Sequence, residues 1–443
     1  MANLLDPESS TVLIIGCGTW GSSTALWLAR SGYKHVTVLD PYPVPSPISA
    51  GNDVNKIVEG RSRKPFESYS GPKAEFEWTG NEVRADATDA WANDPLFREF
   101  YHETGYIISA SRPETIKELY DDEQPTVENG FTEVNTAAQF RSLMPEGVLT
   151  GDFPGWKGWY KARGAGWVHA RKALIAATTE AQRIGVKLVT AEVTRLIFEG
   201  GDVKGAVVAD GMSYRADRTL LCAGASAPQL LDLRNQLRPT AWTLAHMKMT
   251  IEEVNLYKDL PVLFNVERGF FVEPDVDNHE LKICDEHPGY CNWSKSTLDC
   301  GRASTPFARH QIPKNSEQGI RQFLQETMPH LADRSFSFAR ICWCADTPDR
   351  EFLISKHPDY PSLVLGVGGS GHGFMHIPVI GKYIMQCMED ELEPRMQRTW
   401  RWRPETAVGR DWDALQGRWG GPNKVRNLAD LGEGEWTEVG ARL

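Results

Sequence analysis

Apolar and polar positions alternate between two periods from the start of the chain. A polar N-terminal stretch gives way to an apolar run, Val12–Leu13–Ile14–Ile15, which breaks into Gly16-Cys17-Gly18-Thr19-Trp20-Gly21. From Ser22 to Arg30 apolar residues recur at helical spacing, Gly32 stops them, and a second apolar run, Val36–Leu39, ends on Asp40. Strand, glycine turn, helix, strand and terminal acid, in that order, form the dinucleotide-binding arrangement. Gly16 permits the tight turn, Gly18 lets the backbone approach a pyrophosphate, and Gly21 lets the helix pack on the strand. The helix N-terminus offers oriented N–H groups to phosphate oxygens, and Asp40 can accept from a ribose hydroxyl. Thr19, Trp20 and Ser23, in and just after the turn, count with them as candidate cofactor contacts.

The same turn serves NAD and FAD, and the remaining pattern separates them. Near the C-terminus the run Leu363–Val364–Leu365 enters a second glycine turn, Gly366 to Phe374, followed by a helix entry from Ile377 through Ile380–Met385. Between the two turns the periodicity predicts a helix over Asn81–Tyr101 and a strand over Gly105–Ser109. Residues 113–147 read as helices and connections. A helix over Ala170–Ile184 ends at Gly185 and leads to a strand at Val186–Val189. A hairpin turns around Gly200-Gly201-Asp202, and the strand Arg218–Cys222 ends in the small residues Ala223-Gly224-Ala225. Residues 236–340 carry short aromatic-rich strands, among them Trp242–Leu244, Val262–Phe264, Gly269–Val272 and Glu280–Asp285, which read as a mostly antiparallel sheet.

A nucleotide domain assembled from both chain ends suits a flavin oxidoreductase, whereas an NAD dehydrogenase has no need of the second glycine turn. The expected fold class is therefore α/β (α+β). A Rossmann-like FAD-binding domain (residues 1–60, 151–235 and 341–390) is interleaved with a mostly antiparallel-sheet substrate domain (61–150 and 236–340). A tail over 391–443 holds Trp400, Trp402, Trp412 and Trp419, and residues 61–80 read as an exposed loop.

Composition narrows the function. The 443 residues are 41% hydrophobic with 15 Trp, enough for a large core. A net charge of −11 argues against nucleic acid or an anionic membrane as partner. No window reaches 18 uninterrupted apolar residues, and the N-terminus lacks a basic, then apolar, leader. Eight scattered cysteines without such a leader read as thiols rather than disulfides. Cys342-Trp343-Cys344 has no second ligand pair at zinc spacing, so no metal is expected.

Four segments together resemble the monomeric sarcosine oxidase group of the D-amino-acid-oxidase-like flavoproteins. They are the first glycine turn with Asp40, Leu220–Ala225, Cys342-Trp343-Cys344-Ala345-Asp346-Thr347-Pro348, and Gly369–Phe374. Within that group, Ser49–Lys56, Gly151–Gly158, Lys282–Gly289 and Trp400–Pro404 resemble the fungal fructosyl amino acid oxidases, or amadoriases. The likeness runs nearly end to end and is weakest over 61–85. It implies FAD bound covalently through Cys342; Cys344, two residues on, is expected to point away. It further implies oxidation of the C–N bond between a sugar carbon and an amino acid, giving glucosone, free amino acid and hydrogen peroxide.

On the same resemblance Lys282 sits by the flavin and assists O2, with Glu280 as the matching acid for the sugar hydroxyls or the amine. Lys56 and Asn55 contact the flavin, and cofactor contacts are expected at Ala50, Val193, Ala223, Gly224, Gly371, Gly373 and Phe374. Trp242, Gly369, Met375 and Arg410 fall on the substrate side. An arginine suits a carboxylate because its planar fork binds it bidentately. Met375 stands where many relatives carry a lysine for the substrate carboxylate, which favours a longer substrate such as ε-fructosyl lysine. The expected partners are a small-molecule substrate and O2, with no nucleic acid or membrane, and the chain is expected to be a monomer. The C-terminal Ala441-Arg442-Leu443 resembles a peroxisomal address. Two other readings are an N-methyl amino acid oxidase of the sarcosine or pipecolate type and an NAD-linked dehydrogenase.

Overall fold

The computed structural model describes residues 5–121, 125–295, 302–414 and 424–438. Its first sheet grows from the N-terminal apolar runs. Six strands lie in the order Leu353–His357, Tyr360–Val367, Arg218–Leu221, Thr11–Ile15, His35–Asp40, Lys187–Thr190. All neighbours are parallel except the first pair. The strand Thr11–Ile15 is apolar on both faces because both are covered. Val12 and Ile14 join one core with Leu26, Leu174 and Ile380 from the helices Thr19–Arg30, Ala170–Ile184 and Ile380–Met388. Leu13 and Ile15 join a second core with Leu196 and Ala206 of the hairpin Val193–Glu199/Asp202–Val208. Two covered faces explain why this strand reads as a continuous run rather than as an alternation.

The second sheet has nine strands. Eight follow the order Phe336–Asp346, Arg238–Lys248, Glu280–Cys291, Gly269–Asp275, Val262–Asn265, Tyr106–Ala110, Lys157–Lys161, Phe131–Val134, and Arg426–Asn427 pairs with Glu280–Cys291. Pairing is antiparallel except at Val262–Asn265 with Tyr106–Ala110 and at Arg426–Asn427. Alternation splits it cleanly. Ala245, Met247, Leu281, Ile283 and Phe271 pack against Ile320, Phe323 and Leu324 of the helix Lys314–Thr327. Leu244, Cys284 and Cys342 face the other way and meet Ala50 from the first domain.

The division between the domains departs from the sequence expectation in two places. Lys157–Lys161, grouped above with the nucleotide domain, is an interior strand of the large sheet, and Ile341–Asp346 is the end of a strand of that same sheet. Neither segment has a composition that sets it apart; only its pairing partners assign it. The stretch read as a loop over 61–80 also gains structure. A helix runs Ala74–Asn93, started by Glu75 and Glu77 in its first turn, where acids favour the helix dipole. Gly80 within it is what masked the periodicity. Among the described residues no helix is long and apolar enough to cross a membrane.

Candidate active site

The cofactor end is built by glycines that tolerate no side chain. Gly16 takes φ +97°, and a Cβ there would lie 2.7 Å from the Cys222 carbonyl oxygen; at Gly21 it would lie 1.8 Å from the Gly16 carbonyl oxygen. Strand and helix therefore approach to backbone contact. The helix Thr19–Arg30 has no side-chain cap, so its first N–H groups remain available to an anion. Asp40 accepts from the N–H groups of Cys17 (2.8 Å) and Tyr42 (3.0 Å), and burial pushes its carboxyl above the ordinary range. Trp20 ties the two glycine turns together by donating from Nε1 to the Gly373 carbonyl at 3.1 Å.

A cavity of about 1000 Å³ starts at this turn and runs into the second sheet. It is lined by Gly16, Gly18, Thr19, Trp20, Asp40, Val193, Ala223 and Gly224 at one end. Ala50, Lys56, Trp242, Cys342, Gly369, Gly371, Gly373, Phe374 and Met375 line it further in. Most of the residues singled out from sequence thus share one cavity. Its length, its bare glycine cradle and the buried Asp40 at its nucleotide end fit FAD. Ser23 departs from expectation. It faces the neighbouring helix, where its Oγ accepts the Gly381 N–H at 2.9 Å, because the second residue past Gly21 points into the helix packing.

Behind the middle of the cavity lies a charge cluster. Lys282, 1% exposed, donates from Nζ to Asp53 Oδ2 at 2.7 Å and to the Asn55 carbonyl at 2.9 Å, with Nζ 5.3 Å from the Phe270 ring centre. Lys56 donates to the same Asp53 oxygen at 2.6 Å. Burial pushes the Asp53 carboxyl up, but Lys282, Lys56 and Arg340 outweigh it and hold the group far below the carboxylate range. Burial pulls Lys56 down, and Asp53 more than reverses it. Asp53 and Lys56 are therefore both charged at neutral pH. Lys282 itself does not line the cavity; Asp53 and Lys56 do. Asn55 lies behind them, its carbonyl on Lys282 and its side-chain Oδ1 buried without a protein partner. Asp53 was passed over in the sequence, although its place three residues before Lys56 was the available signal.

Three assignments need correction. Glu280 shares a face with Lys282 but is not its partner. It sits outside the cavity lining, accepting from Ser337 Oγ (3.0 Å) and pairing with His246 Nδ1 (3.0 Å) and Lys248 Nζ (3.1 Å). Burial raises its carboxyl, the His246 hydrogen bond and Lys248 outweigh that, and it ends at about 2. The acid of this strand that lines the cavity is Glu286, six residues on from Glu280. The ladder breaks at this point, between Asp285 and Tyr290, with Gly289 at φ +72°. Arg410 is likewise outside the lining, donating to the carbonyls of Asn235 (3.1 Å) and Asp346 (3.0 Å). Cys344 does not point away: two residues apart on one strand share a face, and both cysteines line the cavity. Cys342 packs with Leu244, Cys284 and Ala50, near Lys56, whereas Cys344 packs with Trp242 and Trp293. Glu59, Arg84 and Tyr106 also line the cavity and were not foreseen. One His/Asp group among the described residues, His169, Asp275 and Asp277, has cation-like spacing; it lies off the cavity, and Lys172 pairs with Asp277 at 2.6 Å.

Fold and cavity together define an FAD-binding oxidoreductase, and comparison with known proteins agrees. Residues 11–387 match the family described as FAD dependent oxidoreductase. The chain is 53% identical to the fructosyl amine:oxygen oxidoreductase amadoriase I of Aspergillus fumigatus, covering 99% of this chain and 100% of that one, with a TM-score of 0.94. It is 53% identical to amadoriase II of the same organism in complex with FSA, covering 99% of each chain, with a TM-score of 0.93. L-saccharopine oxidase of Schizosaccharomyces pombe is 27% identical over 97% of this chain and 99% of its own length. The chain belongs to the FAD dependent oxidoreductase family and, within it, to the amadoriase group. It is an FAD-dependent amine oxidase that uses oxygen.

Proposed function

We propose that this enzyme oxidises the C–N bond of fructosyl amino acids to glucosone, free amino acid and hydrogen peroxide, with a preference for ε-fructosyl lysine-type substrates. The observation that carries the reading is the pairing of a full-length likeness to amadoriase structures with Glu286, Lys56 and Cys342 on one cavity. The glycine turn, the N-terminus of helix Thr19–Arg30 and Asp40 would hold the nucleotide part of FAD, and Cys342 is the residue that would carry it covalently. Bound FAD supplies the two-electron acceptor. Lys56 and Lys282, fixed by Asp53, supply positive charge where negative charge develops as O2 is reduced. Glu286 accepts from the sugar hydroxyls and takes the proton the amine gives up. Trp242 and Phe270 give the site aromatic walls. Met375, its carbonyl pinned by Trp91 Nε1 at 2.7 Å, offers no charge to a carboxylate close to the flavin, which supports a longer substrate. The enzyme acts as a monomer, and a peroxisomal location is proposed from Ala441-Arg442-Leu443 alone, which lies outside the described residues.

The test is peroxide release from ε-fructosyl lysine, fructosyl valine, sarcosine and L-saccharopine side by side. The reading expects both fructosyl compounds to be oxidised, the lysine one with the higher kcat/KM. Turnover of sarcosine or saccharopine with neither fructosyl compound active would overturn it.

A further inference from the structure

One part of the cavity lining differs in chemistry from the Asp53–Lys282 cluster. Ile57, Tyr106, Phe264 and Phe270 form an apolar stretch that leads to Glu59 and Arg84. Glu59 ends the strand Lys56–Glu59, and Arg84 stands on the helix Ala74–Asn93. Three cations surround the one carboxylate. Arg84 Nη1 donates to Glu59 Oε2 at 3.0 Å, Lys161 Nζ lies 3.4 Å from Oε1, and Arg61 Nη2 lies 3.8 Å from Oε2. Burial pushes Glu59 up, but Arg84, Arg61 and Lys161 outweigh it and keep it ionised.

Arg84 is underused. Among the described residues its guanidinium makes one hydrogen bond, to Glu59; its Nε is buried without a protein partner, and 21% of its side chain stays accessible. A guanidinium carries five donors in a rigid fork. With Nη1 fixed on Glu59, the Nε–Nη2 edge is the one that takes a carboxylate by two parallel bonds. Lys161, held by the Gly60 carbonyl at 2.8 Å, adds charge behind it.

Resting on the function proposed above, we infer that Arg84 is the subsite for the distal carboxylate of the substrate's amino acid. Spacing supports it. Lys56, beside Asp53, and Glu59 are three residues apart on one strand, about 10 Å at strand rise. A carboxylate joined to the reacting nitrogen through five carbons suits that separation; one on the adjacent carbon falls short. The subsite thus selects ε-linked over α-linked substrates by charge at the far end and an apolar passage between.

The test crosses two proteins with two substrates: wild type and Arg84→Gln, each with ε-fructosyl lysine and its carboxamide. Wild type should favour the carboxylate through KM by about tenfold or more, and Arg84→Gln should bring that ratio close to one. Arg84→Lys, which keeps the charge but loses the fork, should retain part of the preference and serves if the glutamine variant folds poorly. Calorimetric binding of free L-lysine and L-lysinamide to the holoenzyme should show the same loss without turnover. A preference that survives in Arg84→Gln, or one absent from wild type, would overturn the subsite while leaving fructosyl amine oxidation standing. Failure of wild type on every fructosyl compound would overturn the function itself, and the subsite with it.

Discussion

Asp53→Asn isolates the most consequential interaction near the cavity. The substitution keeps the side-chain shape and removes the charge that two ammonium groups share. Asp53 and Lys282 are each 1% exposed at the side chain, while Lys56 is 22% exposed and can turn to water. The cost therefore falls on Lys282, left as an uncompensated buried cation with Arg340 close by, and breaking such a pair costs about 3–5 kcal/mol. Unfolding entropy near the midpoint is about 2.1 cal/mol/K per residue, or roughly 0.9 kcal/mol/K over 443 residues. The melting temperature should fall by roughly 3–5 °C in scanning calorimetry of the holoenzyme. Lys282→Met removes the stranded cation, so the double variant Asp53→Asn/Lys282→Met should be more stable than the sum of the single losses allows. The same charge argument predicts kinetics. Lys282→Met should slow reoxidation by O2 far more than anaerobic reduction by substrate, because the fixed charge acts where negative charge develops. An Asp53→Asn protein that melts with wild type, or strict additivity in the double variant, would refute the reasoning.

Cys342→Ala should leave FAD extractable by acid, whereas Cys344→Ala should not; the reverse pattern would move the attachment to the outer cysteine on the same face. Glu280 drops from its ordinary 4.5 to about 2 in the folded chain, so its contribution is present above 4.5 and is lost as pH falls from there towards 2. That contribution is at most ~3 kcal/mol, so Glu280→Gln should flatten the acid side of a plot of melting temperature against pH. Arg410→Ala should lower stability by about 1–3 kcal/mol through the two hydrogen bonds to carbonyls that it removes, with the ratio of kcat/KM between ε-fructosyl lysine and fructosyl valine unchanged. A collapse of that ratio would restore Arg410 as the carboxylate anchor.

What was legible in the sequence was whatever depends on local chemistry. The turn at Gly16, Gly18 and Gly21 could be read because no side chain fits there, and the fit is enforced by atoms close in sequence or by one neighbouring strand. The alternation that put Lys282 and Cys284 on a common face was equally readable. What escaped depends on where a strand passes its neighbours. Glu280 and Glu286 lie six residues apart on one strand, and only the way that strand passes the cavity decides that Glu286 lines it and Glu280 does not. Asp53 and Lys282 are 229 positions apart, so their ion pair leaves no mark in the spacing of either segment. Arg84 fell inside the helix read over Asn81–Tyr101, but nothing in that spacing shows that it meets Glu59, 25 positions away.

These misses share a cause that bears on specificity. The parts of the cavity that handle the cofactor come from the two glycine turns, where backbone geometry dictates sequence. On the function proposed above, the parts that face the substrate come from Glu59, Arg84, Glu286 and Met375, four cavity-lining side chains on four separate segments. Each of those positions can change without disturbing a turn or a strand register. Met375 fills its place through a pinned backbone carbonyl, so a charged side chain there alters the reach of the site and leaves its frame intact. Met375→Lys should accordingly draw preference towards fructosyl α-amino acids by placing a cation near the flavin, while Arg84 keeps its hold on the longer substrates. The ratio of kcat/KM for fructosyl valine against ε-fructosyl lysine should rise in Met375→Lys and rise further in Met375→Lys/Arg84→Gln. If the single variant leaves that ratio where wild type has it, charge at the near end does not set substrate length, and the division of labour between the two ends of the cavity fails.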